Sequence, residues 1–210
     1  MKRSYKIALA VIFIILLAGG ITAYNINKSS YNPNPKFTLG QPLDSLNGVI
    51  VYYNGMVGHT DGRNTGPDGY NIGMKHQCVE FVKRYYYQRL NHKMPDAFGN
   101  AKDFFDVSLT DSSFNTKRGL MQFTNGSRSK PQPEDLIIFD GHPGNPYGHV
   151  AIVAAVDSNK IVIIQQNPGP FASSRDSFRL KYANGKWFVG KDRTLGWLRK
   201  ADTSTQITLN

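Results

Sequence analysis

The chain has 210 residues, 40% hydrophobic and 19% charged, a globular balance that gives one domain with its own core. Its formal net charge is +10, and +7 once Lys2, Arg3 and Lys6 are set aside, which draws a protein to anionic polymers and membrane surfaces. No nucleic-acid-binding motif accompanies the charge, so nucleic acid is excluded as a partner.

The first 24 residues, "MKRSYKIALAVIFIILLAGGITAY", place a basic flank before an uncharged run from Ile7 to Ala23. As a helix that run spans about 25 Å, slightly short of a hydrocarbon core of roughly 30 Å. Residues 1–24 are therefore expected to be a signal peptide or an N-terminal membrane anchor, both readings staying open. Either one sends the domain to the periplasm, the cell exterior or the face of the inner or plasma membrane. Residues 25–36, "NINKSSYNPNPK", are polar with two prolines and read as a linker. The domain is expected over 37–200 and a flexible tail over 201–210.

Within the domain "GVIVYY" (48–53) predicts a strand. Residues 54–73 carry six glycines and predict a long loop. A helix follows: Val79, Val82, Tyr86 and Leu90 recur on one face, with Phe81 and Tyr85 beside them. Residues 97–130 look irregular, with a short helix near "NAKDFFDVS". Beyond Pro131 the period changes, and strands are predicted at 135–139, 149–156, 160–165, 186–190 and 194–200. A helix followed by an antiparallel sheet gives an α+β domain. Trp187 and Trp197 are assigned to the core or its rim.

Cys78 is the single cysteine, so the chain has no intrachain disulfide. It stands in the first turn of the predicted helix, where main-chain N–H groups and the helix dipole favour thiolate. A nucleophilic thiol needs a base within hydrogen-bond reach. Of five histidines, His149 is best placed, opening the strand "HVAIVAAV" after a turn-rich stretch. A three-residue turn at 157–159 would set His149 opposite Asn167, with Gln165 diagonal on the same face and Gln166 on the other. The competing readings are a buried structural thiol for Cys78, a turn histidine for His149 and an ordinary strand residue for Gln165. Glu80 points away from Cys78 and reads as a partner for a basic residue. His76, Cys78, His142 and His149 match no zinc spacing. No metal or organic cofactor is expected.

"HQCVEFVKR" (76–84) and "GHVAIVAAVDSNKIVIIQQN" (148–167) resemble the CHAP family of cysteine- and histidine-dependent amidohydrolases and peptidases. "GQPLDSLNGV" (40–49) and "LGW" (195–197) resemble its glutathionylspermidine amidase branch, and the likeness runs from 40 to 198. The resemblance implies a papain-like fold, Cys78 as nucleophile and His149 as base. The family has Glu-x-Asn on the strand after the histidine; this chain has Gln165-Gln166-Asn167. Gln165 thus stands where the family has an acid, and Asn167 matches. Gln77 is the oxyanion candidate by adjacency and family position, with the glycine-rich loop as the other source.

The expected function is an exported thiol amidase or peptidase, monomeric, acting on peptidoglycan peptides. One alternative is a glutathionylspermidine-type amidase releasing a polyamine. A second is a degenerate, binding-only domain, given Gln165 in place of the acid. A toxin-like effector with an immunity partner would share the chemistry.

Overall fold

The computed structural model describes residues 2–201; the tail expected over 201–210 lies outside the described residues beyond Ala201. Helix α1 is Lys2–Ser30. Its Ser4–Thr22 stretch has a mean hydropathy of 2.2, none of it buried, and is long and apolar enough to cross a membrane. The helix continues to Ser30, into the stretch expected as a linker. Residues 31–36 then lie against the domain. Tyr53 donates its hydroxyl to Asn32 Oδ1 (2.8 Å), and Asn34, buried, donates Nδ2 to the Pro170 carbonyl (2.9 Å). The same asparagines accept main-chain N–H groups two residues ahead, as asparagine does in turns. The polar residues that suggest a linker here satisfy main-chain groups of a docked segment.

Strands β1 (Pro42–Leu46) and β2 (Val49–Tyr52) form a hairpin, and β3 (Arg63–Thr65) and β4 (Asn71–Met74) form another. The second lies inside the predicted glycine-rich loop. Helix α2, Cys78–Leu90, follows. A single 3-10 turn, Lys102–Phe104, is the short helix expected near 100. The remaining strands are β5 (Ser113–Asn115), β6 (Leu120–Thr124), β7 (Leu136–Phe139), β8 (His149–Val156), β9 (Lys160–Ile164), β10 (Arg175–Ala183), β11 (Lys186–Val189) and β12 (Thr194–Arg199). They form one antiparallel sheet ordered β11-β10-β9-β8-β7-β12-β6-β5. The domain is α+β.

The centre of the sheet is buried on both faces, so β7 reads "LIIF" without alternation. Leu136, Ile138, Val150, Ile152 and Ile164 pack with Phe81, Val82, Tyr85 and Tyr86 of α2. Ile137, Phe139, Ala151, Val153, Ile161 and Ile163 pack on the opposite face with Trp197. Gly73 sits where β4 crosses α2. Its φ is +138°, and a Cβ there would lie 3.1 Å from Glu80 Cα, so only glycine allows this approach.

The β8–β9 turn differs from the expected one. Asp157 donates its N–H to the Lys160 carbonyl (2.8 Å), which leaves a two-residue turn at Ser158 and Asn159. The ladder begins with Val156 opposite Ile161 and shifts by one between Val153 and Ala155, restoring Ile152 opposite Ile164. A bulge thus returns the residue that the shorter turn removes. Gln165 and Gln166 keep the faces expected of them. Asn167 does not continue the strand: its φ is +57° and the chain turns away.

Candidate active site

Cys78 opens α2. Gln77, the residue before it, is extended (φ −84°, ψ 158°), so the chain turns into the helix between them. His76 precedes at φ +63°, a conformation a non-glycine residue rarely holds. Cys78 is partly buried and packs against the core cluster that includes Val150 of β8. His149, the residue before Val150, opens that strand. First-turn N–H groups have no intrahelical acceptor and face whatever approaches the sulfur.

His149 stacks on Phe139, its ladder partner, with ring centroids 6.3 Å apart. His149 Nε2 pairs with Gln165 Oε1 at 2.9 Å. Gln165 Nε2 donates to the Ser173 carbonyl (3.1 Å), which forces Oε1 toward the ring. An amide oxygen only accepts, so the ring proton sits on Nε2 and Nδ1 keeps its lone pair. The diagonal residue, Gln165, holds the ring.

Asn167, expected opposite the histidine, does something else. Its Nδ2 donates to the Val57 carbonyl (2.9 Å) and to Gln77 Oε1 (2.8 Å), and its Oδ1 has no partner among the described residues. Gln77 in turn donates Nε2 to the carbonyls of His59 (2.6 Å) and Val57 (3.2 Å). Both amide hydrogens of Gln77 are thereby spent, and its side chain is no oxyanion donor here. Asn167 and Gln77, with Asn54 on the Met56 and His59 carbonyls, brace the loop at 54–59. The side chains of Asn167 and Gln77 turn to each other and to the loop carbonyls within their reach rather than to the reacting groups.

Burial acts against the expected thiolate. It pushes the Cys78 thiol above its usual value, although the main-chain N–H groups of Val150, Val79 and Cys78 itself pull it down. Burial also drives His149 down to about 4, against a smaller upward effect of the Gln165 hydrogen bond. A carboxylate at 165 would oppose that drop; an amide does so weakly. Burial thus disfavours the charged form of both groups.

Behind α2 lies a second polar cluster. Glu80 pairs with Arg84 (2.6 Å) and accepts from Asn64 (2.8 Å), so Glu80 does face a basic residue. Gln166 joins this cluster from the sheet. Sequence reasoning gave its face correctly, but its partners arise from tertiary packing. Ser173 was missed as well; it acts through its main-chain carbonyl, which no side-chain pattern encodes.

Residues 67–167 match the family model described as the CHAP domain, a span that runs from before Cys78 to Asn167. These residues are a CHAP domain. Trypanothione synthetase of Crithidia fasciculata is 26% identical over 167 residues, covering 78% of this chain and 26% of that protein. Bifunctional glutathionylspermidine synthetase/amidase of Escherichia coli (strain K12) is 34% identical over 98 residues, covering 46% of this chain and 16% of that protein. The matched part is thus about a quarter or less of those relatives. A solved structure of Ly7917 is 20% identical, covering 60% of this chain and 53% of that one with a TM-score of 0.34, too low to bear on architecture.

Proposed function

We propose that the chain is an exported thiol amidohydrolase that cleaves an amide bond in a cell-wall peptide. The observations that carry this reading are a thiol at the start of α2, packed against the core cluster that includes Val150, and His149, the residue before Val150, held through Nε2 by Gln165. Cys78 Sγ attacks the amide carbonyl carbon while His149 Nδ1 takes the thiol proton. That proton passes to the nitrogen of the leaving amine, and the C–N bond breaks. Water then attacks the resulting thioester, His149 again accepting the proton; the C–S bond breaks, the carboxylic acid departs and the proton returns from His149 to the Cys78 sulfur. Burial disfavours charge on both groups, which favours proton transfer in step with attack over a preformed ion pair. The first-turn N–H groups of α2 are suited to stabilise the developing oxyanion. The apolar helix α1 and the surplus of positive charge on the rest of the chain support an exported protein working on an anionic wall.

A second reading, an amidase acting on glutathionylspermidine, is supported by the name of one relative, the bifunctional glutathionylspermidine synthetase/amidase. Full-length protein is incubated separately with purified peptidoglycan and with glutathionylspermidine, and products are identified by mass spectrometry. New peptide carboxylates from peptidoglycan support the first reading. Free spermidine supports the second. Binding without cleavage of either would make the domain a wall-binding module.

A further inference from the structure

Gln165 and Gln166 are chain neighbours whose side chains leave the end of β9 on opposite faces. Gln165 holds the ring of His149. Gln166 is wholly buried and reaches the other way, to the start of α2. Its Nε2 donates to the main-chain carbonyl of Gln77 (3.1 Å), the residue directly before Cys78, and to Glu80 Oε2 (3.0 Å). Its Oε1 accepts the Tyr52 N–H (2.8 Å) and faces Arg84 Nη2 (3.4 Å).

The Gln77 carbonyl already receives the Phe81 N–H (3.1 Å), so Gln166 takes its second lone pair. That bond ties the last residue before the nucleophile to the segment that carries the histidine's partner. Apolar packing of α2 on Ile164 and Val150 holds the helix against the sheet but does not fix its position along it. A directed bond to one carbonyl does. The cluster also buries the Glu80–Arg84 pair, which costs desolvation that an apolar pair of equal volume would avoid.

We propose that Gln166 is a positioning residue that sets the location of Cys78 relative to His149. The dipeptide directly after β9 thereby holds both members of the reacting pair, each through its own amide. A displacement of about 1 Å between reacting groups is enough to cost on the order of a hundredfold in rate. The proposal rests on the reading of Cys78 as nucleophile and His149 as base.

The test separates position from stability. Gln166→Glu sets two carboxylates side by side and should destabilise the fold. The double variant Glu80→Gln/Gln166→Glu restores one acid and one amide around Arg84, but a carboxylate at 166 cannot donate to the Gln77 carbonyl. Gln166→Met removes the donor at similar volume and leaves the Glu80–Arg84 pair alone. Three quantities are measured on full-length protein: denaturant unfolding, the pH profile of Cys78 alkylation by iodoacetamide, and kcat and KM on the substrate that wild type hydrolyses.

The double variant is expected to regain most of the stability lost in Gln166→Glu. Its kcat should remain at least about tenfold low at nearly unchanged KM, with a shifted alkylation profile. Gln166→Met should show the same low kcat. Recovery of wild-type kcat and alkylation along with stability would overturn the proposal, and so would failure of both variants to fold, which makes the cluster a folding element only. Turnover that survives Cys78→Ala would instead refute the thiol mechanism, and the alkylation profiles would still report on Gln166.

Discussion

At the scale of single residues, burial disfavours charge on both members of the pair at the centre of the site. His149 titrates near 4 in the folded chain, against an ordinary 6.5. Between those values the unfolded chain carries the proton and the folded chain does not, so stability is full above about pH 6.5 and is lost as pH falls toward 4. His76 and His92 are also lowered by burial and add in the same direction. His149→Gln should flatten this slope, keeping on the order of 2 kcal/mol that wild type loses between pH 6.5 and 4.5. Denaturant unfolding across that interval measures it.

Gln165 offers a second test. Gln165→Glu would set an anion against Nε2, raise the imidazole pKa and favour a thiolate–imidazolium pair. The midpoint pH for alkylation of Cys78 by iodoacetamide should then fall by about one unit or more from its position in wild type, where burial holds the thiol up. Gln165→Ala should leave the midpoint near wild type or higher and reduce turnover about tenfold or more, because nothing would fix the ring's tautomer. If neither variant moved the midpoint or the rate, Gln165 would have no part in holding His149.

At the scale of elements, the site depends on how β4 and α2 touch. Gly73 lets the strand pass within van der Waals contact of Glu80. Gly73→Ala combines a strained backbone with a Cβ pressed against the helix main chain, and should cost roughly 1–3 kcal/mol. Chemical denaturation checks the magnitude, and a value near zero would mean that the helix can give way.

The elements also mark what could be read in advance. Helix α2 was legible from Val79, Val82, Tyr86 and Leu90, and β7, β8, β9, β11 and β12 from apolar β-branched runs. Strand β10 was not, because "RDSFRLKYA" buries only Leu180 fully and its charged residues face solvent. The β3–β4 hairpin escaped because glycines and asparagines read as loop while main-chain pairing makes strand. Cys78, His149 and Gln165 stand together at a register that the sequence could suggest. The two-residue turn and the bulge that compensates for it lay beyond composition, because each is set by local dihedrals. Asn167 was misread for a related reason: its left-handed backbone ends the alternation on which the facing argument relied.

At the scale of the whole molecule, helix α1 is long and apolar enough to cross a membrane, and the segment at 31–36 docks on the domain. A fusion of residues 1–36 to a reporter active only in the periplasm should give signal in bacteria. A reporter active only from the cytoplasmic side would remove the export reading and favour glutathionylspermidine as substrate. The central claim, however, is the thiol mechanism. Its most direct test compares full-length wild type with Cys78→Ala on purified peptidoglycan and on glutathionylspermidine, with products followed by mass spectrometry at pH 7. The account predicts hydrolysis by wild type and none by Cys78→Ala, with the variant's melting temperature within a few degrees of wild type. Measurable turnover by a folded Cys78→Ala protein would contradict it.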